Sequence, residues 1–86
     1  MSPSLPLRVL VHQSWDDVEL NLPADTTIEA LKIKALEAAH AGGDADRYEV
    51  KFRGALIRDE SLDLTAAGLV PNAQLIVLAK RRQPVR

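Results

Sequence analysis

The chain has 86 residues, 47% hydrophobic and 27% charged, which is the balance of one small globular domain with one core. It contains no cysteine, so a disulfide framework, a thiolate zinc site and a thiol nucleophile are all excluded. The net charge of -1 hides an asymmetry, because Lys80, Arg81, Arg82 and Arg86 fall in the last seven positions and leave residues 1–79 at a net -5. A mildly acidic body with a basic tail lacks the basic stripe of a nucleic-acid binder, and no nucleic-acid partner is expected.

No apolar stretch approaches the roughly 20 residues of a membrane span. Residues 1–6 lack the charged and apolar regions of a secretory signal, so a cytoplasmic location is expected, with these residues as a flexible lead. Leu7, Val9 and Val11 alternate with Arg8, Leu10 and His12 as a first strand, and Val18, Leu20 and Leu22 alternate with polar residues as a second. The polar break at 13–16 makes the pair an antiparallel hairpin. Pro23 to Thr27 stops the strand. A helix follows, with Asp25 or Thr26 as cap and Glu29 three residues after Thr26 as in a capping box. Its apolar stripe is Ile28, Leu31, Ala35, Leu36 and Ala39, with Glu29, Lys32, Lys34 and Glu37 outside it and Ile33 as a packing or loop-contact residue. Gly42-Gly43 offers a left-handed ending.

Tyr48, Val50 and Phe52 alternate with Glu49, Lys51 and Arg53 as a third strand, and Leu56-Ile57 forms a very short fourth. Leu62 to Leu69 is too short for an independent helix and reads as a helical turn on the core. After the Pro71-Asn72 turn, Leu75 to Ala79 is a continuous apolar run suited to a central strand. The expected architecture is α+β, one helix crossing a mixed sheet of four to five strands over residues 7–79, followed by a basic disordered tail, 80–86.

The element order, the hairpin Leu7–Leu22, the helix start Pro-Ala-Asp-Thr-Thr-Ile-Glu-Ala-Leu-Lys at 23–32, and Phe52-Arg53-Gly54 together resemble ubiquitin and its β-grasp relatives. So does the ending, Leu64-Thr65-Ala66-Ala67-Gly68-Leu69 followed by Asn72 to Leu78. Leu-Pro-Ala-Asp before the helix and Ala-Ala-Gly-Leu before the last strand are similar to the bacterial YukD-like proteins associated with type VII secretion. The resemblance implies a β-grasp fold and a non-catalytic role in protein–protein interaction, here as an accessory of a secretion assembly. Two other roles of the family are a structural subunit of a multicomponent enzyme such as an oxygenase, and a protein modifier. Modifiers are conjugated through a C-terminal Gly-Gly, and no glycine follows Gly68 in this sequence, so conjugation is not expected.

The recognition surface that the resemblance implies is the solvent face of the sheet. By alternation its outward positions include Arg8, Leu10, His12, Glu49, Lys51, Arg53, Ile76 and Leu78, with Leu10, Ile76 and Leu78 as an apolar patch rimmed by His12, Lys51, Arg53 and Lys80. Lys51 occupies the central apolar position of the third strand, so ubiquitin-binding domains should not recognise it. The tail residues Lys80, Arg81, Arg82 and Arg86 are read as solubilising rather than as a ligand for lipid headgroups. His12 and His40 lack a third metal ligand at suitable spacing. Ser14, His12 and Asp16 share one hairpin turn without a pocket or oxyanion donors. Gly42-Gly43 ends a helix, where anions do not bind. The expectation is a monomer with no cofactor, no metal and no catalytic residues, acting on a protein partner.

Overall fold

The computed structural model describes residues 4–12, 14–41 and 44–80. It contains strands β1 (Ser4–Val11) and β2 (Asp16–Pro23), helix α1 (Ile28–Ala38), a 3₁₀ turn at Ala45–Arg47, and strands β3 (Tyr48–Phe52), β4 (Ala55–Leu56) and β5 (Ala73–Ala79). The sheet order is β2-β1-β5-β3-β4, with β1 and β5 parallel and the other pairs antiparallel. The apolar run of the last strand therefore lies at the centre of a mixed five-stranded sheet, as its composition implied. Among the described residues only one of its faces is covered: Ala73, Leu75 and Val77 are buried while Gln74 and Ile76 are exposed.

The helix crosses the covered face. Its predicted stripe is buried in full and meets Leu7, Val9 and Val11 of β1, Val50 of β3 and Val77 of β5. Leu64 and Leu69 of the turn after β4 close the same core. Asp63 starts that turn by accepting from the Ala66 amide through Oδ1 (2.7 Å). Gly68 ends it at φ 86°, with the Leu69 amide donating to Leu64 and the Gly68 amide to Thr65. A left-handed residue that lets the last carbonyls turn back onto following amides is the usual role of glycine there.

Several local expectations are corrected. The first strand starts at Ser4 rather than Leu7, so Ser4, Leu5 and Pro6 are not a flexible lead; Pro6 is tolerated because β5 pairing begins only at Leu7. The helix cap is Thr27, whose Oγ1 accepts from the Ala30 amide at 3.1 Å. A Thr26–Glu29 capping box cannot form, because the Glu29 amide donates to the Glu60 carbonyl and the Thr26 amide to the Pro23 carbonyl. The fourth strand is Ala55–Leu56, one residue earlier than expected, and the fifth begins at Ala73, ahead of its apolar run. Lys80 is not free of the fold, since its amide donates to the Arg47 carbonyl at 2.8 Å, whereas Arg81, Arg82 and Arg86 lie outside the described residues.

The helix also ends earlier than Gly42-Gly43, a pair outside the described residues. His40 is the left-handed residue, at φ 54°, with the Ala41 amide donating to Leu36 and the His40 amide to Glu37. A side chain in this region costs about 1–2 kcal/mol relative to the right-handed helix. Because glycine avoids that cost, His40→Gly is expected to raise unfolding stability by about 1 kcal/mol. Denaturant unfolding checks this, and an unchanged or lower midpoint would contradict it.

The largest correction concerns Lys32. Placed on the solvent side by periodicity, it is only 1% exposed. Its Nζ donates to the Tyr48 carbonyl at 3.1 Å and to Glu60 Oε1 at 2.6 Å. The long stem packs among apolar neighbours while the ammonium is satisfied at its far end, as a buried charge requires.

Candidate sheet-face interface

Alternation along β1, β5 and β3 carries one set of side chains into the core and the other onto the uncovered face. Strand register then arranges that face in rows. In the middle row, Leu10 of β1 stands beside Ile76 of β5, which stands beside Lys51 of β3; Asp17 of β2 flanks Leu10. In the row nearer the start of β1, Arg8 stands beside Gln74 on one side and Glu19 on the other. Arg53 closes the end of this row from the β3–β4 turn, one residue beyond the Phe52–Leu75 pair. In the third row, Leu78 faces Glu49, and His12 donates its amide to the Val77 carbonyl at 2.8 Å.

The first two rows enclose an open depression of about 370 Å³, lined by Arg8, Leu10, Asp17, Lys51, Arg53 and Ile76 together with Gly54, Gln74 and Leu75. Of the six residues the sequence reading selected, Leu10, Lys51, Arg53 and Ile76 are brought together here. His12 and Leu78 are not; they lie one row away, Leu78 half-buried and His12 exposed. The predicted single patch is thus two adjoining surfaces, because a sheet face spans several rows, and strand parity and strand adjacency do not fix the register between them. Ile76 is 39% exposed at the middle of the central strand, while Leu10 beside it is half-buried.

Trp15 is the residue that sequence reasoning missed. It sits in the β1–β2 turn at φ 57°, is 70% exposed, and holds its ring 4.9 Å from that of His12. The available signal was a lone tryptophan in a short polar turn, a place where no apolar stripe could absorb it. Arg8, expected on this face by alternation but not among the anchors or the rim, lines the depression, as do Asp17 and Gln74.

Charge is uneven across this surface. Arg8, Lys51 and Arg53 converge on the depression with Asp17 as its one lining carboxylate. None of the three forms an ion pair among the described residues, where the ion pair present is Lys32–Glu60 on the other side of the sheet. Arg53 instead rests its guanidinium 5.3 Å from the centre of the Phe52 ring. Asp59, away from this face in the loop after β4, has its carboxyl held below the ordinary range by the Ser61 hydroxyl and, secondarily, by the Ser61 amide. Among the described residues no group of three His, Asp or Glu is placed to hold a metal ion, and no helix is long and apolar enough to cross a membrane. Ile33, 40% exposed on α1, lines a separate shallow depression with Leu36, Ala41 and Ala45.

No family model matches the sequence, and no curated protein matches it. Solved structures do match the fold. The chain is similar to ubiquitin from Caldiarchaeum subterraneum, with a TM-score of 0.77 and 11% identity over 94% of this chain and 99% of that one. It is similar to a ubiquitin-like domain from Arabidopsis thaliana, with a TM-score of 0.76 and 14% identity over 98% of this chain and 85% of that one. A ubiquitin-like domain from tubulin-binding cofactor B matches with a TM-score of 0.77 and 14% identity, covering 92% of each chain.

Proposed function

We propose that this chain, whose fold is the ubiquitin-like β-grasp, an α+β arrangement of one helix on a mixed five-stranded sheet, is a non-catalytic protein-interaction module that docks through the uncovered sheet face. Leu10 and Ile76 are its apolar anchors, with Leu78 in the adjoining row, and Lys51, Arg53 and His12 form the polar rim. The observation that carries this reading is Ile76, a β-branched side chain left in solvent on the central strand, beside Leu10 and ringed by charge. An apolar centre inside a polar rim is the general layout of a protein interface. The neighbours named as ubiquitin-like domains support an interaction role over an enzymatic one.

The module acts as a cytoplasmic monomer, without covalent conjugation, as an accessory of a bacterial secretion assembly of the YukD-like kind. The stretch from Lys80 to Arg86 contains no glycine, and its basic residues are read as solubilising. The test is recovery of a bound protein by the tagged chain, compared with its Leu10→Asp/Ile76→Asp variant and with Val70→Asp, a substitution at a residue 51% exposed and outside the depression. The double variant is expected to fold and to lose the partner, while Val70→Asp keeps it. Equal recovery by all three proteins would contradict the reading.

A further inference from the structure

We propose that Arg8, Lys51 and Arg53 make the docking face selective for an acidic protein segment, one that seats an apolar side chain on Leu10 and Ile76 and sets carboxylates against the three cations. This rests on the reading that the face docks a protein, and it adds the chemistry of the partner.

The distribution of charge carries the inference. Residues 1–79 hold seven basic and 12 acidic side chains, yet three of those seven basic residues line one depression beside a single lining carboxylate. The other cations of the body are placed elsewhere, and Lys32 is consumed by its buried pair with Glu60. Arg8, Lys51 and Arg53 have no ion-pair partner among the described residues, so although Glu19 stands beside Arg8 in the strand register and Asp17 lines the depression, no carboxylate is committed to any of the three. An anionic ligand supplies that partner.

Backbone geometry at Arg53 points the same way. Arg53 and Gly54, at φ 57° and 79°, form the two-residue β3–β4 turn, a geometry that favours asparagine or glycine at both positions. An arginine there conflicts with the local turn chemistry, and such conflicts concentrate at functional sites. Its place in the turn, over the Phe52 ring, sets the guanidinium at the margin of the depression. A polynucleotide fits less well. The apolar floor of Leu10 and Ile76 offers nothing to phosphates, and three cations around one depression fall short of the basic stripe of a nucleic-acid binder.

The probe is a short synthetic peptide with a Leu-Val-Leu centre flanked by glutamates, titrated against the full chain alongside versions with glutamine or lysine flanks and a single-stranded oligonucleotide. Affinity is read by fluorescence anisotropy and location by amide chemical shifts. At low ionic strength the glutamate peptide is expected to bind about tenfold more tightly than the glutamine peptide, as three rim charges of ordinary strength imply. The preference should fade at high salt. Shifts should centre on Arg8, Leu10, Lys51, Arg53 and Ile76. Lys51→Glu and Arg53→Asn, the latter keeping a residue the turn favours, should each reduce the preference while the amide spectrum stays folded.

Equal binding of the glutamate and glutamine peptides on this face would overturn the acidic specificity and leave the docking face standing. Preference for the lysine peptide or the oligonucleotide, or no binding by any peptide, would also overturn it. Shifts confined to other surfaces would overturn both the specificity and the docking face.

Discussion

Replacing Glu60 by alanine is expected to destabilise the fold by about 3 kcal/mol, the loss seen when one partner of a buried ion pair is removed. For a chain of this length that lowers Tm by roughly 12–24 °C. The magnitude follows from asymmetry within the pair. The Lys32 side chain is 2% exposed and that of Glu60 20%, so without the carboxylate the ammonium stays buried with the Tyr48 carbonyl as its acceptor. Water can reach the Glu60 position but not the lysine. Lys32→Met is expected to change stability by less than about 1 kcal/mol, because it removes the buried charge and keeps the packed stem. Thermal unfolding of the two variants decides the matter: similar losses would mean that the pair itself, rather than the stranded ammonium, sets the cost.

Leu64→Ala is expected to cost about 2–5 kcal/mol, the range for a fully buried leucine whose cavity collapses only in part. Leu64 is 0% exposed and anchors the turn after β4 in the core, while its amide donates to the Thr26 carbonyl just before the helix. The segment it anchors also supplies the helix start, through the Leu62 and Glu60 carbonyls that accept from the Ile28 and Glu29 amides. Loss of Leu64 should therefore loosen the first turn of α1 as well as the core. Glu60→Ala acts on the same segment, so the double variant should lose less than the sum of the single losses, by about 0.5 kcal/mol or more. Denaturant unfolding of the four proteins measures this coupling, and strict additivity would show that the segment is not one cooperative unit.

Much of the fold was legible because its periodic signals agree with one another. Leu7, Val9 and Val11, the helical stripe from Ile28 to Ala39, and Tyr48 with Val50 all announced their buried faces by spacing alone. What failed depended on contacts from elsewhere in the chain. Lys32 lies next to the helical stripe, and its burial is made tolerable by the Tyr48 carbonyl and by the Glu60 carboxylate, 16 and 28 residues away. Thr27 replaces Thr26 as the cap because loop carbonyls from 60–62 take the amides a capping box would use. Glycine-based reasoning placed the helix end at Gly42-Gly43, whereas His40 takes the left-handed turn.

At the candidate site, strand parity identified the face but not the neighbours on it. The β1–β5 register, which no local pattern encodes, sets Ile76 beside Leu10 and puts Arg8 and Gln74 one row away. The turn at Arg53 then brings its charge to the same depression as Arg8 and Lys51. Trp15 has no signature in the sequence pattern, because an exposed aromatic in a turn follows no periodic rule. Its contact with His12 depends on the turn geometry, and the two rings make a second surface beside the apolar anchors.

The central claim, that the uncovered sheet face is where this chain meets its partner, is tested most directly by site-specific photo-crosslinking in the cells that express it. A photoreactive residue at Ile76 or at Gln74 should yield one common protein adduct, absent when the group is placed at Val70 or at Ile33 on the helix. Adducts of the same protein from Val70 or Ile33, with none from Ile76 and Gln74, would contradict the claim.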